Sequence, residues 1–340
     1  MKKLDVALLL GLLVLLGAQG LLFRSTRGSS WQEREKAVEE QVHKTFSGDY
    51  QELYRSIQNR PELRWRFELA SFGATIALAG ALAGLIRLLL CLLTGRPFYR
   101  PLAAPPPSAW GLAQILRLTG AILLVINAAV LLEWGLFQLF RPVWLDRPLT
   151  AVINTLLADG VALAAAFLFF RRAGRPAPAR RRWTGVGFAL AAYLTFLPFL
   201  FALMAAVTLL LQAIHVSPAP QPVFTLFLSE TRSSVLGWLL VLVAVIGPMA
   251  EEAFFRGLIY GWLRVRWGVF RALFLSALLF ALLHTDAVVF VPIFALGLLF
   301  GWVYEQTGTL AAPAAIHILH NGAMMYAAFL LKTLMEMAPR

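Results

Sequence analysis

The sequence predicts an all-α, polytopic integral membrane helical bundle with about eight to nine transmembrane helices. Of its 340 residues, 59% are hydrophobic and only 14% are charged, and the mean hydropathy is +0.72. Soluble domains carry about 25% charged residues, so an ordinary soluble enzyme, a disordered chain and a disulfide-built secreted domain are excluded. The apolar residues also fall into runs of about 20, the length that crosses a bilayer.

The cysteine content and the net charge narrow the class further. Cys91 is the single cysteine, so the chain has neither an intrachain disulfide nor a cysteine-based zinc site. The net charge of +12 comes from basic residues that lie mostly between the apolar runs. In a membrane protein this pattern sets the orientation and attracts anionic lipid headgroups. We therefore expect lipid headgroups as partners, and no nucleic acid.

The N-terminal part divides into an apolar run and a polar segment. We interpret residues 1–23 as a membrane anchor, with a signal sequence as the alternative. Residues 24–66 are polar, and a capping-box pattern at Ser30 predicts a helix to about Phe46, followed by a second short helix before Pro61. About forty residues cannot bury a stable core alone. We expect this segment to lie on the membrane face or against the bundle.

Eight further apolar runs predict the remaining spans. We assign residues 67–234 to N-terminal transmembrane helices and loops, with a polar loop at 212–234, and residues 235–331 to a C-terminal catalytic domain. Residues 171–182 carry six arginines and no acidic residue, so the positive-inside rule places this loop and the N-terminus in the cytoplasm. The runs lie at about 67–93, 116–140, 149–170, 186–211, 235–263, 270–285, 288–304 and 309–331.

Isolated ionisable residues occur within the N-terminal spans. Arg87, Glu133 and Asp159 each stand alone in an apolar run. We interpret each as a helix end that reaches the membrane surface or as a member of a buried pair. None of them predicts a functional site from the sequence alone.

The C-terminal domain has two adjacent glutamates near the middle of its first apolar run. Arg256 follows Glu252 by four residues, a spacing that puts the two side chains on one helix face within ion-pair distance. Glu251 is turned about 100° away and is free to face another group. Because carboxylates are costly inside the membrane, this pattern indicates a functional site.

A histidine lies at a matching depth on the next helix. Glu251 precedes the basic turn 264–271 by about 13 residues, and His284 follows the end of that turn by about 13. At a rise of ~1.5 Å per residue, both lie about 20 Å from the turn. Two consecutive antiparallel helices therefore carry an acid and an imidazole in one layer.

The last span supplies further polar groups to the same layer. His317 and Asn321 are four residues apart and share a helix face. His320 lies near that face too, so the spacing alone does not choose between the histidines. We expect a structural or supporting role for His320. Glutamate, histidine and asparagine on three helices predict a site.

These residue types suit hydrolysis without a covalent intermediate. A buried carboxylate and an imidazole can activate a water. His317 and Asn321 carry N–H donors that could stabilise the oxyanion formed when water attacks an amide carbonyl. Zinc is the alternative for the same chemistry, with Glu251, His284 and His317 as ligands. A non-enzymatic immunity or partner-binding membrane protein is the third hypothesis.

Three motifs in this domain resemble a known family. EEAFFRG at 251–257 matches an EExxxR motif, FALLH at 280–284 matches FxxxH, and HILHN at 317–321 matches HxxxN. In order and spacing they resemble the CPBP family, which comprises type II CAAX prenyl proteases and bacteriocin-processing enzymes, also called Abi proteins. The resemblance covers about residues 235–330.

The resemblance implies an intramembrane glutamate-type endopeptidase with a cavity open towards the cytoplasmic side. By the family pattern, Glu251 and His284 would activate the water, and His317 and Asn321 would stabilise the oxyanion. No cofactor is then expected, although early descriptions of the family proposed a metalloprotease. The supporting residues would be Glu252, Arg256, Phe280 and His320.

The expected substrate is a membrane-associated peptide or protein, and no sequence feature marks it as prenylated. The basic N-terminus and the arginine-rich loop favour a bacterial plasma membrane. The sequence leaves open the oligomeric state, the cleavage site and the role of residues 24–66.

Overall fold

The computed structural model of the chain describes residues 29–47, 50–96, 104–105, 110–140, 147–173, 179–215, 222–284 and 289–337. The predicted anchor at 1–23 lies outside these ranges. All regular structure within them is helical. The helices are α1 (Ser29–Ser47), α2 (Tyr50–Gln58), α3 (Pro61–Thr94), α4 (Leu112–Phe140), α5 (Arg147–Ala173), α6 (Ala179–Ala213), α7 (Pro222–Ser229), α8 (Ser233–Val241), α9 (Gly247–Glu252), α10 (Gly261–Leu282), α11 (Phe290–Thr307) and α12 (Ala311–Met337).

The prediction of an all-α membrane bundle is confirmed. Six helical stretches in the described ranges are long and apolar enough to cross a membrane, and α5 contributes a shorter apolar stretch at Val152–Ala164. One of the six, Ser233–Leu282, contains two of the predicted spans. The six are Pro61–Thr94, Leu112–Glu133, Trp183–Ala213, Ser233–Leu282, Phe290–Thr307 and Ala311–Met337.

The stretch Ser233–Leu282 folds back on itself. Gly268 has φ 78° and ψ 172°, a backbone conformation that a residue without a Cβ adopts at little cost. Beyond this turn the chain returns alongside itself: the ring centroids of Phe255 and Phe280 are 5.2 Å apart, and Ser276 Oγ lies 3.5 Å from the Phe255 carbonyl oxygen. The predicted antiparallel pair is therefore present, and its turn lies within the predicted basic segment.

Two predicted boundaries differ from the structure. Helix α3 begins at Pro61, so the predicted boundary at residue 66 falls inside a helix. Proline ends the preceding helix and also suits the first turn of the next, where its missing N–H costs nothing. Both helices beside the arginine-rich loop extend into it, α5 to Ala173 and α6 from Ala179. The middle of that loop lies outside the described residues.

The predicted polar loop at 212–234 contains a short apolar helix. Helix α7 (Pro222–Ser229) buries Thr225, Leu226 and Phe227. Its apolar run is too short to span a membrane, and the polar residues on either side made the whole segment look solvated. The helix packs against the end of α12, where Lys332 Nζ donates a 2.8 Å hydrogen bond to the Leu228 carbonyl.

The polar N-terminal helices lie against the same end of the bundle. Val38 of α1 is buried in a cluster with Leu228 and Met335, and Gln41 Nε2 donates to the Met335 carbonyl at 3.1 Å. Helix α1 thus covers α7 and the C-terminal end of α12. Of the two predicted positions, the membrane face and the bundle, these contacts of α1 favour the bundle.

The N-terminal helices supply the wall that surrounds the C-terminal domain. Tyr193 and Leu197 of α6 join a buried cluster with Phe300 of α11 and Ile316 of α12. On its other side, α6 approaches α3 so closely that a Cβ added at Gly84 would clash with Thr195. The glycine permits this approach. The core is therefore continuous across the predicted domain boundary.

Candidate active site

The two glutamates lie on an irregular part of the helix. The α-helical turn Gly247–Glu252 is flanked by two π-helical segments, Leu242–Ile246 and Ala253–Tyr260. Such wider turns are rare in proteins overall, and those that occur are often found at functional sites. Here they change which residues share a face, although the predicted i, i+4 contact between Glu252 and Arg256 is kept.

Asn321 satisfies a carbonyl that Pro248 leaves without an intrahelical donor. In the first π segment the Gly247 N–H bonds to the Leu242 carbonyl, and the next donor along the helix would be residue 248, a proline without an N–H. Asn321 Nδ2 instead donates to the Val243 carbonyl at 2.9 Å. One amide N–H of Asn321 is therefore committed to the backbone, and its second N–H is left for another acceptor.

Glu252 and Arg256 form a fully buried ion pair. Arg256 Nη1 donates to Glu252 Oε1 at 2.9 Å, and the side chains are 0% and 1% exposed. Arg256 Nη2 also donates to the Gly297 carbonyl at 2.9 Å. The pair confirms the predicted i, i+4 contact and ties the glutamate turn to α11. Such a pair requires good geometry, because removing both charges from water is expensive.

Aromatic rings enclose the Arg256 guanidinium. Its carbon lies 4.7 Å from the Phe280 ring centroid, 5.4 Å from that of Phe300 and 5.9 Å from that of Phe255. A desolvated guanidinium is attracted to aromatic faces. Phe280, a predicted supporting residue, therefore packs directly on the charge that balances Glu252.

His317 lies between the two glutamates. Its Nδ1 is 3.0 Å from Glu252 Oε1, and its Nε2 is 3.8 Å from Glu251 Oε2. The ring stacks on Phe300 with centroids 4.7 Å apart, which fixes its plane. Because an ionised carboxylate only accepts hydrogen bonds, Nδ1 carries the hydrogen towards Glu252. Because Nδ1 is held by Glu252, the opposite ring nitrogen, Nε2, points towards Glu251.

Glu251 has a different environment from its neighbour. Its side chain is 34% exposed, whereas that of Glu252 is almost completely buried. No described residue donates a hydrogen bond to Glu251 Oε2. The two adjacent glutamates are therefore not equivalent: Glu252 is neutralised inside the protein, and Glu251 is open on one side.

A further carboxylate, Asp159 of α5, faces the same turn. A Cβ built at Gly247 would lie 3.6 Å from Asp159 Oδ2 and 4.0 Å from Glu251 Oε1. Sequence reasoning interpreted Asp159 as an isolated residue. Its single signal was an acid in an apolar run, and the sequence could not show which helix that acid faces.

His284 lies beside Phe280, at the end of α10. Its Nδ1 is 2.8 Å from the Phe280 carbonyl oxygen, and its ring centroid is 4.8 Å from that of Phe280. Because a carbonyl only accepts, Nδ1 is the donor and Nε2 keeps its lone pair in the neutral ring. Phe280 also contacts His317, with ring centroids 5.8 Å apart. The phenylalanine ring thus contacts both histidines.

His320 faces away from the glutamates, towards α6. Its Nδ1 is 2.9 Å from the Tyr193 hydroxyl, and the rings meet edge to face with centroids 6.1 Å apart. The hydrogen bond links α12 to α6. This contact agrees with the expected structural role of His320.

The structure brings most of the predicted residues together but changes some of their partners. Glu251 faces His317, whereas the sequence paired it with His284. Among the described residues, no group of three or more histidine, cysteine, aspartate or glutamate side chains has metal-binding geometry. Sequence reasoning missed several contributors that lack a distinctive signal: Asp159, Val243, Gly297 and Phe300.

The fold and the site define a polytopic helical membrane protein with an acid–imidazole centre inside the bundle. Residues 233–323 match the family model "Type II CAAX prenyl endopeptidase Rce1-like". This match contains all three motifs and supports the resemblance to the CPBP family that the motifs indicate.

Two curated bacterial proteins are similar to the chain. The "Membrane-embedded CAAX protease MroQ" of Staphylococcus aureus (strain USA300) is 39% identical over 87 residues, which is 24% of this chain and 35% of that protein. The "Putative membrane peptidase YdiL" of Bacillus subtilis (strain 168) is 28% identical over 83 residues, 24% of this chain and 34% of that protein. The chain thus spans about a third of the length of these relatives. No solved structure matches it significantly.

Proposed function

We propose that the chain is an intramembrane endopeptidase that hydrolyses peptide bonds of membrane-associated proteins or peptides, with Glu251 as the base. The observation that carries this proposal is the contrast between adjacent glutamates. Glu252 is buried and paired with Arg256, whereas Glu251 is partly exposed and faces His317 Nε2 at 3.8 Å. The family match and the names of the two relatives support peptide hydrolysis.

In the proposed reaction, Glu251 takes a proton from water as the water oxygen bonds to the carbonyl carbon. When the tetrahedral intermediate collapses, the carbon–nitrogen bond breaks and the proton passes from Glu251 to the leaving amine. The neutral Nε2 of His284 is a second acceptor for the water, because its Nδ1 is already committed to the Phe280 carbonyl. The products are a new carboxyl terminus and a new amino terminus.

We propose that His317 and Asn321 stabilise the oxyanion. For this role His317 Nε2 must carry a hydrogen, so the ring is an imidazolium when the intermediate forms. The buried charges then balance, since Glu252 and the oxyanion face the Arg256 guanidinium and the His317 imidazolium, and Glu251 holds the proton taken from the water. Asn321 would contribute its second amide N–H, the first being bonded to Val243.

We propose that this chemistry needs no resident metal. His317 Nδ1 and His284 Nδ1 each have a partner within the protein, Glu252 and the Phe280 carbonyl. A zinc site on Glu251, His284 and His317 would need all three side chains around one ion, and the described residues contain no such group of three. Activity retained in chelator with no metal in the purified protein supports the proposal. Stoichiometric zinc with loss of activity in chelator would replace it.

The first experiment compares N-terminal peptides from bacterial membranes that contain the wild type, Glu251→Gln or Glu133→Gln at matched expression. Glu133 is a matched control, because it is a membrane-embedded glutamate hydrogen-bonded to Asn154 on the neighbouring helix. We expect new termini with the wild type and with Glu133→Gln, and none with Glu251→Gln. These termini would also identify the substrate and the membrane face that is cut.

Two results would overturn the proposal. Termini that persist unchanged in Glu251→Gln would remove this residue as the base. Identical termini in all samples, together with an unchanged cellular effect of the Glu251→Gln variant, would favour a non-enzymatic partner-binding protein.

A further inference from the structure

Asp159 lies at the catalytic turn although it belongs to neither the family-matched segment nor any recognised motif. Helix α5 packs against the turn Gly247–Glu252 and the second π segment. Asp159 Oδ2 and Glu251 Oε1 both lie beside the position of a Cβ at Gly247, at 3.6 and 4.0 Å from it. A glycine at this position permits that approach.

The Asp159 carboxylate has no other described partner. Its Oδ2 atom is fully buried and accepts no hydrogen bond from the described residues. Glu252 and Glu133 also each have one buried oxygen without a donor, but the other oxygen of each accepts a hydrogen bond, from Arg256 and Asn154 respectively. A buried, unpaired carboxylate is costly, and two that face each other cannot both ionise readily. One proton held between them would satisfy both groups.

The surroundings leave Glu251 with two opposite neighbours. Its Oε2 is 3.8 Å from His317 Nε2 on α12, and its Oε1 is on the side of Asp159 on α5. On its own helix the nearest charges, Glu252 and Arg256, neutralise each other. The described groups that can set the direction of Glu251 are therefore His317 and Asp159.

We propose that Asp159 is a positioning residue, which shares a proton with Glu251 and thereby keeps the Glu251 carboxylate directed at His317. Its effect on the reaction rests on the proposed function, but the proton sharing does not. Asparagine at position 159 keeps the shape and a hydrogen-bond donor, whereas leucine keeps the approximate volume and removes all polarity.

The coupling is tested first without any activity measurement. Thermal unfolding midpoints are measured in detergent for the wild type, Asp159→Leu, Glu251→Gln and the double variant. Residues in one network shift the midpoint non-additively, and we expect a deviation from additivity of about 2 °C or more. A control set combines Glu133→Gln, instead of Asp159→Leu, with Glu251→Gln. In this set we expect the shifts in unfolding midpoint of the two single variants to add in the double variant. Additive shifts in both sets would overturn the proton sharing.

The role in catalysis is tested with a peptide that spans the cleavage site found in the terminus comparison. We expect Asp159→Leu to lower kcat about tenfold or more with KM unchanged, and Asp159→Asn to stay within about threefold of the wild type. A merely structural role predicts instead that both variants lower the yield of folded protein while the folded fraction keeps its kcat.

The outcomes separate the two proposals. Non-additive unfolding with an unchanged kcat in Asp159→Leu would overturn the positioning role and leave the proposed function intact. Cleavage by Glu251→Gln at the wild-type rate would overturn the proposed function, and the unfolding cycle alone would then decide whether Asp159 and Glu251 share a proton.

Discussion

At the scale of single residues, the charged side chains of the site differ mainly in which neighbouring groups balance their charge. Arg256 is surrounded by three phenylalanine rings and meets a carboxylate and a carbonyl. Its partner Glu252 also holds His317 Nδ1 at 3.0 Å. The ion pair therefore orients the imidazole that faces Glu251. The i, i+4 spacing predicted the pair itself. It could not predict the contact with His317, because that contact depends on how α12 packs.

Removal of one partner of this ion pair is expected to be more harmful than removal of both. Arg256→Met leaves Glu252 charged in the core with His317 Nδ1 as its remaining partner, and breaking such a buried pair costs about 3–5 kcal/mol. Glu252→Gln together with Arg256→Met removes both charges, so the double variant should be the more stable of the two. Thermal unfolding midpoints and folded yield in detergent measure the difference. A double variant less stable than Arg256→Met would contradict this account.

At the scale of elements, the irregular helix explains why regular periodicity predicted the site only in part. The motif spacing placed Glu251 and Glu252 correctly on one turn. The first π segment and the contact of Asn321 with Val243 go with a missing N–H at Pro248. A sequence pattern marks the proline as a kink, but it does not show which side chain satisfies the freed carbonyl.

The contact between Asn321 and Val243 predicts a rescue. Asn321→Leu leaves the buried Val243 carbonyl without a donor, and we expect a loss of about 1–3 kcal/mol in the free energy of unfolding. Pro248→Ala restores a backbone N–H at residue 248, which in a π turn can donate to the Val243 carbonyl. Asn321→Leu should therefore cost less in the Pro248→Ala background than alone. Equal costs in the two backgrounds, measured by unfolding, would be evidence against this explanation of the π segment.

The turn between α7 and α8 predicts a dependence of stability on pH. Glu230 accepts hydrogen bonds from Arg232 and from the backbone N–H groups of Thr231 and Arg232. The Arg232 side chain is the main cause, and it outweighs burial, so the pKa of Glu230 falls from 4.5 to about 2.

A lowered pKa in the folded state stabilises the protein where the group is ionised in both states. The contribution of Glu230 is therefore complete above about pH 4.5 and is lost as the pH falls towards 2. Wild type should unfold at a higher temperature than Glu230→Gln at pH 6, and the difference should shrink below pH 4.5. A pH series of unfolding midpoints checks this, and a gap that stays constant would contradict it.

At the scale of the whole molecule, the site depends on helices outside the family-matched segment. Asp159 of α5 lies beside the turn that carries the two glutamates. Tyr193 of α6 is hydrogen-bonded to His320. The all-α membrane class was predictable, because composition and run length determine it. The packing of α5 and α6 on the C-terminal domain was not predictable, because apolar runs look alike in sequence and do not specify their neighbours.

The orientation in the membrane remains a prediction that labelling can test. Helix α1 lies at the bundle end that holds α7 and the C-terminal end of α12, and the arginine-rich loop is expected in the cytoplasm. In a Cys91→Ser background, Glu39→Cys should react with an impermeant maleimide from outside the cell, since Glu39 is exposed on α1. Pro176→Cys should react only in inverted vesicles. The reverse pattern would invert the topology.

The placement of His317 and Asn321 on α12, near the end of the sequence, also determines at what stage of synthesis the site can form. The two glutamates, Asp159, Arg256 and His284 all precede them in the chain. During synthesis both glutamates enter the membrane before the imidazole that faces them has been made. The nascent chain therefore carries its acids without a complete centre, and under the proposed function cleavage would begin only once α12 is in place.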